Sequence, residues 1–180
     1  MRRGVLLPDG LRVTRSLRKA AHHYTTTVDA AFDRVLAGCA DPSRPHGWID
    51  DDIVAVFTAL HRRGIVHSVE TWTDGELVGG QSCVAVGRAV FGESMFARRT
   101  DASKMALAAL VAFCRQHGIP QVDCQQNTGH LATLGAAEMP RQAFLQVVQA
   151  QQTAPAPCWT FEPLYWKQVL ASPAHPDPSA

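Results

Sequence analysis

The sequence has no pair of cysteines at the C-x-x-C spacing, and its five cysteines are far apart. An odd, widely spaced set argues against both a disulfide framework and a structural zinc site. The eight histidines include no H-E-x-x-H motif, so we expect no bound metal. The cysteines are Cys39, Cys83, Cys114, Cys124 and Cys158, and four of them lie in apolar segments, where a reduced thiol packs like a small hydrophobic side chain.

Long hydrophobic runs are also missing. No apolar stretch approaches the roughly 20 residues that cross a bilayer, and the apolar part of the start, MRRGVLLP, is too short for a secretory signal. The chain has 180 residues, of which 46% are hydrophobic and 18% are charged, and this predicts one substantial packed domain. We expect a cytoplasmic protein with no membrane partner.

Charge is nearly balanced overall but unevenly distributed, with a net value of +1. Residues 1–28 contain five arginines and one lysine against Asp9 alone, a local charge of +5, which leaves −4 for the rest of the chain. A basic N-terminal arm on a mildly acidic body is typical of a protein whose polyanionic partner touches one end of it.

Hydrophobic periodicity predicts an α/β fold. A period of 3.6 residues indicates helices, and a period of 2 indicates strands. The predicted helices are 15–21, 29–40 with Asp29 as its cap, one opened by Asp50 that stops at Gly64, one from Thr100 or Asp101 to His117, and one from Pro140. The predicted strands are 11–13, 24–28, 66–72, 77–86, 89–96 and 121–125, with a hairpin turn at Asp74-Gly75.

The order of these elements predicts a mixed sheet made of an antiparallel meander, a crossover helix and a parallel strand. This is the layout of a GNAT-type acyltransferase core. We expect a small, reduced, basic and helical N-terminal region over residues 1–64. The GNAT-like core then covers residues 65–180 and includes a proline-rich tail past Thr153.

Two carboxylates lie in unusual contexts. On the strand 121–125, alternation puts Asp123 and Gln125 on one polar face, although a strand after a buried crossover helix is usually apolar. Glu93 lies between Phe91 and Met95 on one strand face, an environment that raises a carboxyl pKa. An acidic spot in an apolar pocket would bind an amine. A loop-capping Asp and a solvent-facing Glu remain the alternatives.

Glycine is missing where acyl-CoA enzymes of this type need it. Their pyrophosphate turn precedes the crossover helix, but here that place reads ARRTDA at residues 97–102. Cradling of a pyrophosphate by backbone amides is therefore disfavoured. Arg98 and Arg99 would suit the phosphates of another acyl carrier. Trp48 follows a Pro/Gly-rich loop and is either a stacking platform for a nucleobase or a core residue.

Several strings, in order and at consistent spacing, resemble the leucyl/phenylalanyl-tRNA–protein transferase family over about residues 4–150. They are TRSLRK (14–19), GWI (47–49), HSVETW (67–72), ELVGG (76–80), FGESMF (91–96), DASK (101–104), DCQ (123–125) and LGA (134–136). Each string alone is short, but together they make the resemblance specific.

The resemblance implies a reaction in which an acceptor amine attacks the ester carbonyl of an aminoacyl-tRNA and leaves an amide. The charged tRNA is a co-substrate, and no cofactor is implied. Asp123 and Gln125 would form a hydrogen-bonded catalytic pair, and Glu93 would help to hold the acceptor amine.

The resemblance also implies a tRNA contact. Arg15, Arg18 and Lys19 would bind phosphates of the acceptor stem, contacts that carry little sequence information. Trp48 would lie beside the terminal adenosine.

The pocket implied for the aminoacyl side chain departs from the family pattern. It would comprise Gln81, Ser94, Met95, Leu107, Leu110 and Cys114. Gln81 stands where the family has Met, and Leu110 and Cys114 stand where bulkier aromatic residues are usual. An unpaired buried amide costs about 1–3 kcal/mol, so we expect an aminoacyl group smaller or more polar than Leu or Phe. We also expect a member that is short at its N-terminus.

Three hypotheses remain open at this point. The first is the tRNA-dependent transferase, with either a protein N-terminus or a small-molecule amine as acceptor. The second is an acyl-CoA-dependent N-acyltransferase, and the third is an inactive tRNA-binding module.

Overall fold

A computed structural model describes residues 2–44 and 47–170. Its strands are β1 (Arg2–Leu6), β2 (Thr25–Val28), β3 (Val66–Thr73), β4 (Glu76–Val86), β5 (Ala89–Ala97), β6 (Val122–Gln125) and β7 (Ala137–Pro140). Its helices are α1 (Arg15–Ala20), α2 (Phe32–Cys39), α3 (Asp51–His61), α4 (Ala102–Gln116), α5 (Gly129–Thr133), α6 (Arg141–Gln151) and α7 (Lys167–Leu170). No helix within these two stretches is long and apolar enough to cross a bilayer.

Strands β3, β4 and β5 form the predicted antiparallel meander. Asp74 and Gly75 have φ values of 50° and 77°, the left-handed backbone that a two-residue hairpin turn requires and that an Asp-Gly pair adopts readily. The chain then crosses back through α4, and β6 pairs parallel with β5. The predicted mixed α/β class, with its meander, crossover helix and parallel strand, is confirmed.

The sheet contains two strands that the sequence did not predict, β1 and β7. In the described part of the chain the seven strands lie in the order β2-β3-β4-β5-β6-β1-β7, with β1 antiparallel to both of its neighbours. Two arginines at the start of β1 obscure the buried Val5 and Leu6, which is why periodicity missed the strand. The strand expected at residues 11–13 is wrong, because that segment is irregular. Strands β1 and β2 both come from the region 1–64, so the two predicted regions share one sheet.

Asp29 does not cap α2 as predicted. The helix begins at Phe32, and Asp29 has a φ of 55°. The Asp29 carboxylate instead accepts the backbone N–H of Ser68 at 2.8 Å and contacts His67 Nδ1 at 2.6 Å, so it ties the start of α2 to β3. Asp50, in contrast, caps α3 as predicted and accepts the backbone N–H of Ile53 at 2.9 Å.

Helix α4 is the centre of the core, and every residue from Met105 to Cys114 is buried. The C-terminal segment returns over it, because Trp159 stacks on Phe113 of α4 and on His67 of β3 with ring centroids 4.6 and 3.9 Å apart. Residues 171–180 of the predicted proline-rich tail lie outside the described residues.

The close approach of α4 to β4 gives a stability prediction. A Cβ added at Gly79 would lie 2.6 Å from Ala102 Cβ and 2.9 Å from the Ala102 carbonyl carbon, so helix and sheet would have to move apart. We expect Gly79→Ala to lower the free energy of unfolding by about 1–3 kcal/mol, the usual cost of overpacking. Urea denaturation measures it. Gly129→Ala is the control, since a Cβ there meets nothing within 4 Å. Equal midpoints for the two variants would contradict the close approach.

Candidate active site

The parallel pairing between β5 and β6 is short. Val90 lies opposite Val122 and Phe91 opposite Asp123, and no further residue pair joins the two strands in the described chain. Beyond these pairs, residues 92–95 of β5 and the end of β6 line a shared cavity of about 280 Å³. The cavity therefore lies where two neighbouring strands separate.

Other elements complete the cavity wall. Strand β4 and helix α4 contribute Gln81 and Leu107, and β6 contributes Val122, Cys124 and Gln125. The end of α2, the segment after it and the region of α5 contribute the remaining residues, which are Cys39, Arg44, Gly47, Trp48, Thr128, His130 and Leu131.

Glu93 lies in a β-bulge. Ser94 pairs with Ser82 and Gly92 with Cys83, so Glu93 is an extra residue on β5 with no partner on β4. A bulge redirects side chains at the point where it interrupts the strand. This explains why four consecutive residues of β5 all line the cavity, which a regular strand would not allow.

Gln125 departs from the predicted alternation of β6. Its φ is 60°, in the left-handed region, so its side chain does not follow that of Asp123. Gln125 Nε2 instead donates to Glu93 Oε2 at 3.0 Å, and both residues line the cavity. The prediction that Asp123 and Gln125 lie on one face of β6 is wrong for this reason.

Asp123 is almost completely buried, with 1% of its side chain exposed, and it does not line the cavity. Arg3 of β1 donates to both of its oxygens, from Nε to Oδ1 at 2.8 Å and from Nη2 to Oδ2 at 2.6 Å. The backbone N–H of Gln125 donates to Oδ1 at 2.8 Å. Asp123 thus contacts Gln125 through the main chain, and the hydrogen bond with Asp123 raises the pKa of Arg3.

Glu93 has an altered acidity. Burial raises the pKa of its carboxyl group above the ordinary 4.5, the hydrogen bond from Gln125 lowers it, the charge of Asp123 raises it and the charge of Arg3 lowers it. The net direction is upward. The four groups Arg3, Asp123, Gln125 and Glu93 are therefore electrostatically linked.

Four of the residues predicted to form the side-chain pocket line this cavity. They are Gln81, Ser94, Met95 and Leu107. The Gln81 amide is not left unpaired as expected, because its Nε2 donates to the carbonyl oxygen of Ala106 at 3.3 Å.

Leu110 and Cys114 do not line the cavity and are instead buried in the main hydrophobic core. Helix α4 is apolar all around, so its sequence does not indicate which residues face the cavity. The contrast between these two residues and the family pattern therefore carries no information about the substrate.

The segment after α2 contributes two cavity residues of different kinds. Trp48 is 48% exposed and lies edge-to-face with Phe57, with the ring centroids 6.0 Å apart. Arg44, which the sequence analysis missed, donates to the carbonyl oxygens of Cys39 at 2.6 Å and Met95 at 2.5 Å. It fixes the loop to β5. A single arginine in an irregular loop carries no sequence pattern that would reveal this role.

The predicted tRNA-binding residues lie on α1. Arg15 and Lys19 are exposed, Arg18 is partly exposed, and the buried Leu17 anchors the helix. The chain just after α1 contacts the turn before α4, where Tyr24 Oη donates to the carbonyl oxygen of Thr100 at 2.8 Å.

Within the described residues, no group of three His, Cys, Asp or Glu side chains is arranged to hold a metal ion.

The fold and the cavity together define a mixed α/β protein with a carboxylate–amide pair where two parallel strands separate. The profile of a family described as leucyl/phenylalanyl-tRNA protein transferase matches residues 5–149. The chain belongs to this family, as the sequence motifs predicted.

Individual relatives agree with this assignment. A leucyl/phenylalanyl-tRNA–protein transferase from Polaromonas sp. is 50% identical over 94% of this chain and 70% of its own length. The proteins of that name from Albidiferax ferrireducens and Cupriavidus necator are 48% and 47% identical over 93% and 97% of this chain, and 70% and 74% of their own lengths.

Solved structures with a similar arrangement have low sequence identity to this chain. A GCN5-related N-acetyltransferase from Kribbella flavida matches with a TM-score of 0.44 and 15% identity, over 76% of this chain and 54% of its own. The aminoglycoside N-acetyltransferase AAC(6')-Iy matches with a TM-score of 0.41 and 15% identity, over 73% of this chain and 88% of its own.

The Gln125–Glu93 bond gives a prediction about acidity. The amide of Gln125 stabilises the ionised carboxylate, so Gln125→Ala is expected to raise the pKa of Glu93 further. A ¹³C NMR titration of glutamate carboxyl groups measures it, with Glu93→Gln to assign the signal. Gln126→Ala changes an exposed neighbour and should leave the titration unchanged. A pKa that falls in Gln125→Ala would show that the bond does not form in solution.

Proposed function

We propose that this protein transfers an aminoacyl group from a charged tRNA to an acceptor amine. Membership of the family supports the donor. The observation that carries the proposed chemistry is the Glu93–Gln125 pair, a partly buried carboxylate and an amide 3.0 Å apart on the cavity wall. Such a pair binds an amine and accepts a proton from it.

In this proposal the amine nitrogen attacks the ester carbonyl carbon at the 3′ end of the tRNA. The new C–N bond forms, the C–O bond to the ribose breaks, and the proton passes from the amine to Glu93 and then to the departing ribose oxygen. An α-amine has a pKa of about 8, and the raised pKa of Glu93 brings the two groups closer in basicity. Such matching favours proton transfer, and positioning of the reactants supplies much of the remaining rate.

Asp123 has a different role here from the one that the sequence implied. Its oxygens are occupied by Arg3 and by the backbone N–H of Gln125. The carboxylate does not line the cavity and therefore does not touch a substrate bound there. We therefore assign to Asp123 the role of orienting Gln125, and to Glu93 the role of accepting the proton.

The proposed aminoacyl pocket comprises Gln81, Ser94, Met95 and Leu107. Gln81 and Ser94 introduce polar atoms into a wall that is otherwise largely apolar. These polar atoms favour an aminoacyl group that forms hydrogen bonds with them or is too small to displace water from them. We infer a side chain smaller or more polar than Leu or Phe.

The acceptor in this proposal is a protein N-terminus. The relatives that share about half of the sequence are named as transferases acting on protein. A small-molecule amine is the alternative that the assay below distinguishes.

The tRNA would lie across α1 and the turn before α4. Arg15, Arg18 and Lys19 would contact phosphates, and Arg99 borders the groove beside the chain that follows α1. Trp48 lines the cavity and is about half exposed, so a terminal base would stack on its ring.

The turn before α4 disfavours acyl-CoA as donor. The backbone N–H of Arg98 donates to Val78 O at 2.7 Å, and that of Ala102 donates to Arg99 O at 3.2 Å. Asp101, at the helix start, forms an ion pair with Lys104 at 2.7 Å. Two amides of the turn are therefore already engaged within the protein and do not face a pyrophosphate.

The test supplies the protein with a full set of charged tRNAs and follows ribonuclease-resistant transfer to peptides and to small amines. We expect transfer to peptide N-termini, and a kcat at least about 100-fold lower in Glu93→Gln, the usual contribution of a positioned proton acceptor. Binding of tRNA should survive. Glu138→Gln removes a surface carboxylate that pairs with Arg2 and serves as the control.

Three outcomes would contradict the proposal. Transfer from acetyl-CoA but from no charged tRNA would establish an acyl-CoA enzyme. Binding of tRNA without transfer to any amine would establish a binding module. Full activity in Glu93→Gln would remove Glu93 from the chemistry.

The basic helix gives a separate prediction. Replacement of Arg15, Arg18 and Lys19 by Ala should reduce the slope of log K against log salt by about 0.7–0.9 for each phosphate that is no longer neutralised. Titration of labelled tRNA at several salt concentrations measures the slope. Replacing Arg62 and Arg63, which are exposed at the end of α3, removes charge of the same sign elsewhere. The first variant removes three charges and the second removes two, so an equal change in slope for each charge removed would show that only the total charge matters.

A further inference from the structure

Arg3 lies outside the cavity, on the strand β1 that the sequence analysis missed. We propose that Arg3 is a positioning residue for the transfer reaction, which acts through Asp123 to hold the Gln125 amide against Glu93. The inference rests on the proposed function and adds a residue to it. Nothing in the sequence motifs points to Arg3, since they begin further along the chain.

The first support is the geometry of the ion pair. Arg3 Nε donates to Asp123 Oδ1 at 2.8 Å and to Oδ2 at 3.1 Å, and Nη2 donates to Oδ2 at 2.6 Å. A two-point contact of this kind fixes the orientation of the carboxylate as well as its position. The same Oδ1 then accepts the backbone N–H of Gln125 at 2.8 Å.

The second support is the backbone that Asp123 holds. Gln125 has a φ of 60°, which an L-residue adopts only when its surroundings impose it. The hydrogen bond from its N–H to Asp123 is one such constraint. From this conformation its side chain reaches Glu93, so the chain of contacts runs from Arg3 through Asp123 and Gln125 to Glu93.

The third support is that β1 packs directly against the end of β6 and the residues that follow it. The pairing of β1 with β6 shifts between Gly4 and Val5, which oppose Gln125 and Asp123. A Cβ at Gly4 would lie 2.5 Å from the backbone of Gln126 and Asn127. The main chain directly after Arg3 is thus packed against the segment that its side chain orients.

The guanidinium is also held from its other side. The Phe144 ring of α6 lies 5.5 Å from the Arg3 carbon Cζ, in a cation–π contact, and Phe144 is buried. A guanidinium between a carboxylate and an aromatic ring has little freedom to swing away. Lysine does not reproduce this arrangement, because it lacks both the planar fork and the flat face.

The charge of Arg3 also reaches Glu93. The charge of Asp123 raises the pKa of Glu93 and that of Arg3 lowers it, so the two oppose each other. Removal of Arg3 should therefore shift the acid limb of the pH–rate profile to higher pH, and removal of Asp123 should shift it to lower pH. The other titratable or charged groups that line the cavity are Arg44, His130, Cys39 and Cys124.

The experiment compares kcat, KM and the pH profile of transfer in the full chain, with charged tRNA and a peptide acceptor. Arg3→Met should lower kcat about 100-fold, the usual effect of a small misplacement of a reacting group, with KM unchanged. Its acid limb should move to higher pH, and that of Asp123→Asn to lower pH. A His130→Gln background keeps the histidine from contributing to either shift.

Two further variants separate positioning from folding. Arg2→Met removes the neighbouring arginine, which pairs with Glu138 at the surface, and should behave as wild type. Arg3→Lys keeps the charge without the fork and should lower kcat about tenfold while its acid limb stays in place. Should Arg3→Met melt below the assay temperature, Arg3→Lys and its melting temperature decide the question.

The double variant Arg3→Met/Asp123→Asn tests whether the two residues act as a unit. Its kcat should equal that of Asp123→Asn, because effects that pass through one chain of contacts do not add. Additive effects, or an unchanged kcat in Arg3→Met, would overturn the inference while the wild type still transfers. A wild type that transfers from no charged tRNA would overturn the proposed function instead.

Discussion

The backbone of Gln125 determines what chemistry the cavity contains. A regular strand would alternate its faces and send the Gln125 amide to the side of Asp123. Its φ of 60° sends the amide to Glu93 instead, across the gap between β5 and β6. This conformation is disfavoured for an L-residue, so the surrounding contacts must stabilise it. The bulge at Glu93 is the matching distortion on the opposite strand. Two local irregularities, one on each strand, therefore create the site.

The buried carboxylate of Asp123 links this local geometry to the whole fold. Burial of an ionised group costs several kcal/mol unless it is paired and hydrogen-bonded. Arg3 and the backbone N–H of Gln125 supply those partners. Arg3 is 120 positions away in the sequence and reaches Asp123 only because β1 lies beside β6. The N-terminal strand is thus part of the energetics of the site, although it lines none of the cavity.

Local features of the sequence were predictable, and long-range ones were not. The Asp74-Gly75 turn, the strands of the meander and α4 depend on residues close together in the sequence. The Asp-Gly pair predicted the turn, and hydrophobic periodicity predicted the strands and the helix. Strand β1 depends on pairing with the far end of the chain, and the φ of Gln125 depends on a carboxylate that must first be buried. Family resemblance singled out Gln125 and Glu93, which both line the cavity, but it could not distinguish Leu107, which faces the cavity, from Leu110, which faces the core. Helix α4 is apolar on all sides, and only the packed structure resolves this.

In the proposed reaction, Glu93 must satisfy two opposing requirements as the proton acceptor. It has to be ionised when the amine arrives, which favours hydrogen bonds and positive charge nearby, and it has to attract a proton, which favours burial. Gln125 and Arg3 contribute to the first, and desolvation and Asp123 to the second, with burial the largest cause. Water at the carboxylate would reduce the desolvation that raises the pKa of Glu93. The apolar lining therefore contributes to the acidity of Glu93 as the polar groups do. Arg44 maintains that lining, because its bonds to Cys39 and Met95 keep the loop that leads to Trp48 against β5.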